Sequence, residues 1–225
     1  GHDARNGDVP RPRNEEEVPW GTVALIWLIE YGNWLMDTVF CFYFVTVVGE
    51  QRTFPGSTLR VGSFCLTAQS LVALVVSLCL PRINRILGSK LIWYLGNASF
   101  VLLCAAIPFS IDNPHASPSS SFGTIPIILI ASATGFSEAT RDNNVYLLLE
   151  KVTPKGQSGY FVALVSNAMA AAQVTIGLTF GLITEQYLKN DVASGFFWAS
   201  VLSGLWLGST MLIDLVRGTI PETHL

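Results

Sequence analysis

Glu30 and Asp37 stand seven residues apart in an otherwise apolar run. At about 100° per residue they fall within about 20° of one another on one helical face, and Asn33, Trp34, Cys41 and Phe44 share that face. Carboxylates and amides hydrogen-bond hydroxyl groups, and an indole stacks on the apolar face of a sugar ring. A carboxylate in a partly dry cavity can also take up and release a proton. A second constellation lies in GFSEATRDNN, residues 135–144. Glu138, Arg141 and Asp142 fall at i, i+3 and i+4, which puts the guanidinium beside one carboxylate and within reach of the other. One arginine cannot neutralise two carboxylates. The surplus negative charge calls for a second cation from another helix, or for a proton gained and lost during a cycle. Asn143 and Asn144 extend the polar patch. The blander reading is an internal charge network that locks two helices together, with Glu30 paired to a basic residue beyond this chain or placed near lipid headgroups.

The elements that must hold these groups are apolar and long. Six stretches, Trp20–Val48, Leu59–Leu80, Lys90–Ile111, Thr124–Leu149, Gly159–Thr184 and Val192–Val216, have the length of a bilayer-spanning helix. In lipid every backbone polar group must be bonded within its own segment, so spans of this kind are helices. The composition agrees: 50% of residues are hydrophobic and 13% charged, against roughly 25% charged in soluble domains. A charged side chain at mid-bilayer costs about 3 kcal/mol on insertion scales, so it persists where it faces a cavity or a partner. The expected class is an all-α, multi-pass membrane protein of six transmembrane helices with the lipid bilayer as its first partner.

Charge gives each loop a side. Arg5, Arg11, Arg13, Arg82, Arg85, Lys90, Lys151, Lys155 and Arg217 make nine basic residues on one side, against three, Arg52, Arg60 and Lys189, on the other. The positive-inside rule then places both termini in the cytoplasm, as an even number of spans also requires. Nothing points to nucleic acid. Cys41, Cys65, Cys79 and Cys104 lie within the spans without metal-ligand spacing and read as small buried hydrophobes rather than a disulfide framework. His2, His115 and His224 lie outside the spans, so neither a metal site nor a cofactor is expected.

Residues 1–19 are polar, mixed in charge and bear Pro and Gly, the composition of a flexible cytoplasmic loop. Residues 20–216 form the helical bundle, and residues 217–225 a cytoplasmic tail. The leading segment has no initiator Met and none of the regions of a signal peptide, so it reads as the end of a loop in a longer protein. Residues 112–123, DNPHASPSSSFG, read as a loop. Asn97-Ala98-Ser99 matches a glycosylation acceptor but falls inside the third span, out of an enzyme's reach. Gly177/Gly181 and Gly204/Gly208, spaced by four, read as close helix-packing positions, with Gly195 beside them. Gln69, Asn167 and Gln173 read as interhelical hydrogen-bonding amides.

Three stretches carry a family resemblance. Val48-Gly49-Glu50-Gln51 followed by LRVGSFCLTAQSLVALVVSLCLPRINRILGSK, residues 59–90, resembles the plant sucrose–proton symporters of the major facilitator superfamily. There a D-W-M-G-R-E loop leads into a V-R-x-G-x-x-G-L-x-x-x-S helix eight and a basic turn. Arg60, Gly62, Ser70 and the turn 81–88 align, and that turn resembles a worn G-x-x-x-D-R-x-G-R motif in which Arg82, Arg85, Gly88 and Lys90 remain. Gly156-Gln157 leading to Asn167 and Gln173 is similar to the run opening helix eleven, one residue short. The polar fourth span stands where helix ten would. Thr46-Val47 replaces the family's D-W, and charges as dense as those of the fourth span are not its usual helix-ten pattern, which leaves the substrate open.

The resemblance implies one half, helices seven to twelve, of a twelve-helix carrier. Its partner would be the N-terminal six-helix half of the same protein or a second copy. It implies proton-coupled symport of a sucrose- or disaccharide-like sugar by alternating access. Glu30, Asn33, Trp34, Asp37, Glu138, Arg141, Asp142 and Asn167 form the expected substrate and proton-coupling set. A plasma, vacuolar or endosomal membrane is equally compatible. Two other classes compete. A six-helix membrane enzyme would need an intramembrane His beside a serine nucleophile, or a D-x-x-x-D metal cluster, and the sequence offers neither. A decayed half-transporter serving as a scaffold would keep its carboxylates paired and inert. A channel would need a filter-like loop, which the sequence lacks.

Overall fold

A computed structural model describes residues 19–43, 61–111, 121–154, 156–186 and 192–221. Those residues form six helices and no strand. They are α1 Trp20–Tyr43, α2 Val61–Leu87, α3 Ser89–Ile111, α4 Ser121–Val152, α5 Ser158–Gln186 and α6 Val192–Arg217. The readings made for residues 1–18, for Phe44 to Val48, for Gly49-Glu50-Gln51 and Arg60, for Lys155, Lys189 and the three histidines lie outside the described residues, as does most of the 112–123 stretch. The last three residues of that stretch, read as loop, open α4 instead, and Pro126 lies inside that helix, near its start, where it gives up one backbone hydrogen bond without ending the run.

Four of the helices, α2, α3, α5 and α6, are long and apolar enough to cross a membrane, which is compatible with a multi-pass membrane protein. The other two, α1 and α4, are the ones that carry the clustered ionisable residues. Exposed Leu71, Leu74, Leu78, Leu102, Leu129, Val174, Leu178, Leu202 and Leu215 make an apolar outer surface on α2 through α6. An exposed apolar surface of that extent is what a lipid or protein neighbour covers.

The helices pack in a repeating pattern. α1 packs on α5 and α6, α4 packs on α2 and α3, and α3 packs on α6. Exchanging α1 with α4, α2 with α5 and α3 with α6 turns this set of pairings into itself. Close approaches are made at four glycines: a side-chain carbon on Gly32 would run into Trp206, on Gly96 into Thr140, on Gly135 into the backbone oxygen of Gln69, and on Gly204 into the side chain of Val101. Of the glycines the four-residue spacing singled out, Gly204 faces Val101, but Gly177 and Gly208 have open space around them. Spacing reports a small-residue stripe, not which side of the helix meets a neighbour.

One turn links α2 to α3. Gly88 takes φ 83°, its N–H donates to Asn84 O at 2.8 Å, and its own carbonyl accepts from Ile92 N at 3.2 Å. A left-handed residue that closes one helix and opens the next is a position for glycine. Two apolar cores fill the interior. One gathers Met36, Phe40, Cys65, Phe100, Cys104, Ile127 and Phe196; the other gathers Ile26, Ile29, Trp93, Val145, Leu148, Leu207 and Ile220. The polar residues 30–37 of α1 and 137–144 of α4 lie in sequence between the contributions their helices make to the two cores, so the charged layer sits between them. Only two of the four cysteines fit the buried reading: Cys65 and Cys104 are buried, while Cys41 and Cys79 are exposed and all four thiols are free. A small apolar residue serves on an outward face as well as in a core.

Candidate functional site

The two constellations meet. Arg141 reaches from α4 across to α1, its Nη2 3.5 Å from Asp37 Oδ1, while its Nε donates to Asp142 Oδ1 at 2.9 Å. The guanidinium lies between two aromatic rings, its Cζ 5.5 Å from the Trp34 centroid and 4.9 Å from that of Phe100. It is among the largest fully buried side chains of the protein, with 1% of its surface exposed. Aromatic faces favour a desolvated guanidinium electrostatically, and its planar form suits this stacking better than an ammonium would.

Glu30 lies deeper in α1. Its Oε1 accepts from Asn33 Nδ2 at 3.3 Å and from Trp93 Nε1 of α3 at 3.2 Å, and Glu30 is within electrostatic reach of Arg141. Glu138, expected beside Arg141 on the same helix, is not ion-paired with it. The arginine turns instead toward Asp142 and Asp37, while Gln69 of α2 hydrogen-bonds the Glu138 carboxylate. One guanidinium therefore stands among four carboxylates, Glu30, Asp37, Glu138 and Asp142. The charge surplus read from α4 alone is larger once α1 is in place.

Exposure separates the groups. The side chain of Asp142 is 37% exposed and that of Asp37 16%, whereas Glu30, Asn33 and Arg141 are buried. Of the expected set, Glu30, Asn33, Trp34, Asp37, Glu138, Arg141 and Asp142 come together. Asn167 lies apart from them on α5 with its side chain exposed, as does Gln173. Trp34, read as a platform for a sugar, meets Arg141 with one ring face. Asn143 and Asn144 tie α4 to α2: Asn143 Nδ2 donates to Ser77 Oγ at 3.2 Å, and Asn84 Nδ2 donates to Asn144 Oδ1 at 2.6 Å.

Two participants escaped the sequence reading. Asn97 is buried beside the cluster; the sequence presented it only as a glycosylation motif, and its i+4 spacing from Trp93 carries meaning only once Trp93 is known to meet Glu30. Asp214, in the last turn of α6, is a second buried carboxylate centre. Its Oδ2 takes an ion pair from Lys90 Nζ at 2.7 Å and the hydroxyl hydrogen of Tyr94, and its Oδ1 accepts from Thr219 Oγ1 at 2.7 Å and Ile220 N at 2.6 Å. Lys90 Nζ also donates to Ile220 O at 2.6 Å, and Thr22 Oγ1 of α1 donates to Thr219 O at 3.1 Å. Gly218, at φ 61°, turns the chain back for these contacts. The start of residues 217–225, read as a tail, is thus pinned across the ends of α1, α3 and α6. With every acceptor position of Asp214 filled, this centre holds the bundle together. Among the described residues no group of His, Cys, Asp and Glu could hold a metal ion.

Compared with known protein families, with curated proteins and with solved structures, the chain matches none.

Proposed function

We propose that this chain is one six-helix half of a secondary active transporter of the major facilitator type, coupling proton movement to uptake of a sucrose- or disaccharide-like sugar. The observation that carries the reading is Arg141, buried between Trp34 and Phe100 and ringed by four carboxylates from α1 and α4. An excess of carboxylates around one fixed cation is a place where protons bind and leave without dismantling the fold. Partly open Asp37 and Asp142 exchange with the cavity, and Arg141 holds them in place.

The packing supports the same reading. α1 and α4 exchange places in the pairing pattern, and nested three-plus-three inverted repeats are the build of each half of such carriers. In this reading α1 and α4 also cross the bilayer, both termini are cytoplasmic, and a second six-helix half, in the same polypeptide or a second copy, supplies the other wall of the cavity. Sugar hydroxyls bond the carboxylates and amides of this wall, and rocking of the halves exposes the site to each side in turn. The chain works as a carrier component and not as an enzyme.

The test is made in the complete transporter, with Asp37→Asn and Asp142→Asn prepared separately. An amide imitates the protonated carboxyl, so accumulation of sucrose driven by a pH gradient is lost while counterflow across the membrane continues. If both variants accumulate sugar like the parent with the same pH dependence, the carboxylates are structural charges and the chain is the scaffold of the competing reading.

A further inference from the structure

The buried part of the site has hydrogen-bonding capacity left over. Asn33 Oδ1, both amide atoms of Asn97, and Arg141 Nη1 have no partner among the described residues, and the three residues are 0%, 0% and 1% exposed. An unpaired buried polar atom costs about 1–3 kcal/mol, and nearly all such atoms in native proteins bond a protein group or an ordered molecule.

These atoms are grouped by the helices that carry them. Asn97 stands four residues after Trp93 and three before Phe100, so the three share one face of α3. Trp93 Nε1 donates to the Glu30 oxygen that also receives Asn33 Nδ2, and Phe100 lies against the Arg141 guanidinium. Asn97 is therefore flanked by the Glu30–Asn33 pair on one side and by Arg141 on the other. The free set comprises acceptors on Asn33 and Asn97 and donors on Asn97 and Arg141. An anion has nothing to give the amide oxygens and would meet an excess of carboxylate. A metal cation has nothing to accept from the guanidinium. A hydroxyl both donates and accepts through one oxygen.

We propose that Asn33, Asn97 and Arg141 form a hydroxyl-binding subsite in the inner wall of the site, with Asn97 a binding residue alongside the carboxylates. The hydroxyl belongs to water or to the transported molecule. In either case it connects Glu30, which no side chain joins directly to the open pair, with Asp37 and Asp142. Its role in coupling rests on the transport reading; its occupancy does not.

Radiolytic hydroxyl-radical labelling of the complete protein, read by mass spectrometry, tests it. Radicals formed from bulk solvent do not reach Trp93, Phe100 or Phe196, all 0% exposed, but a water held at Asn97 delivers them to the first two, and a sugar hydroxyl that displaces this water does not. Trp93 and Phe100 are then labelled several-fold above Phe196, and Asn97→Leu reduces that labelling while Phe196 stays unlabelled, which shows that the variant is folded. Asn97→Ser, which keeps a polar group, retains part of it. Saturating sucrose that protects Phe100 identifies a substrate hydroxyl, and labelling unchanged by sucrose identifies water. Phe100 labelled no more than Phe196 in the parent, with and without sucrose, overturns the subsite. Labelling in a protein that moves no sugar leaves the subsite standing and removes only the transport reading.

Discussion

At the scale of the residue, Arg141 decides the site, and its environment sets what its loss would do. The guanidinium is desolvated, which is costly, and it is retained because Asp37 and Asp142 bond it and Trp34 and Phe100 face it. Breaking a buried pair by removing one partner costs roughly 3–5 kcal/mol, because the remaining charge is left uncompensated. Arg141→Met should lower stability by about that amount, read as a drop in thermal unfolding temperature in detergent. Asp142→Asn should cost less, since Asp142 is partly exposed and Arg141 keeps Asp37. A larger loss from Asp142→Asn than from Arg141→Met would mean that the arginine is not the hub. The sequence displayed both constellations but not their meeting: Asp37 and Arg141 are 104 residues apart, and helical periodicity orders residues only along one helix. It also offered Glu138 as the near partner, because i, i+3 spacing is local, while the pull of a carboxylate on another helix is not visible in spacing.

At the scale of the element, the helices were legible from apolar length, because a span must bury or expose its surface to lipid whatever its neighbours do. Five of the six sequence-derived stretches agree with the described helices to within a few residues at most of their ends, and the end of the first lies outside the described residues. The largest difference is α2, which runs on through Pro81 to Leu87, since the basic turn 81–87 continues the helix that it was expected to end. Packing was less legible. Which glycine marks a crossing depends on the neighbouring backbone: Gly135 lies against the carbonyl of Gln69, whereas Gly177 and Gly208 face open space. Gly135→Ala should therefore force α2 away from α4, because a backbone oxygen cannot swing aside. The expected cost is about 1–3 kcal/mol, as for overpacking. Gly177→Ala and Gly208→Ala should leave the stability of the isolated chain unchanged or slightly raised by their higher helix propensity. Thermal unfolding of the three variants side by side checks this, and equal destabilisation by all three would contradict the crossing assigned to Gly135.

At the scale of the whole molecule, the described basic residues are segregated. Arg82 and Arg85 close α2, Lys90 opens α3, Lys151 closes α4 and Arg217 closes α6. The contacts of Lys90 with Asp214 and Ile220, of Thr22 with Thr219, and of Asn84 with Asn144 gather these helix ends together. Five of the six described Lys and Arg residues thus stand at one end of the bundle, and the sixth, Arg141, is in the site. Basic residues are retained on the cytoplasmic side, so this end should face the cytoplasm. Membrane-impermeant maleimide applied to intact cells reads the orientation, with the four native cysteines first replaced because Cys41 and Cys79 are exposed. Arg85 and Glu150 are exposed near this end and Glu185 is exposed at the far end of α5, whereas Ser89 is fully buried and unsuited to a probe. Glu185→Cys should react from outside the cell, and Arg85→Cys and Glu150→Cys only after the membrane is permeabilised. Outside labelling of both Arg85→Cys and Glu150→Cys would invert the bundle in the membrane. The gathered helix ends and the pinned Thr219–Ile220 segment would then lie outside, with the basic end of the bundle on the side that the charge bias excludes.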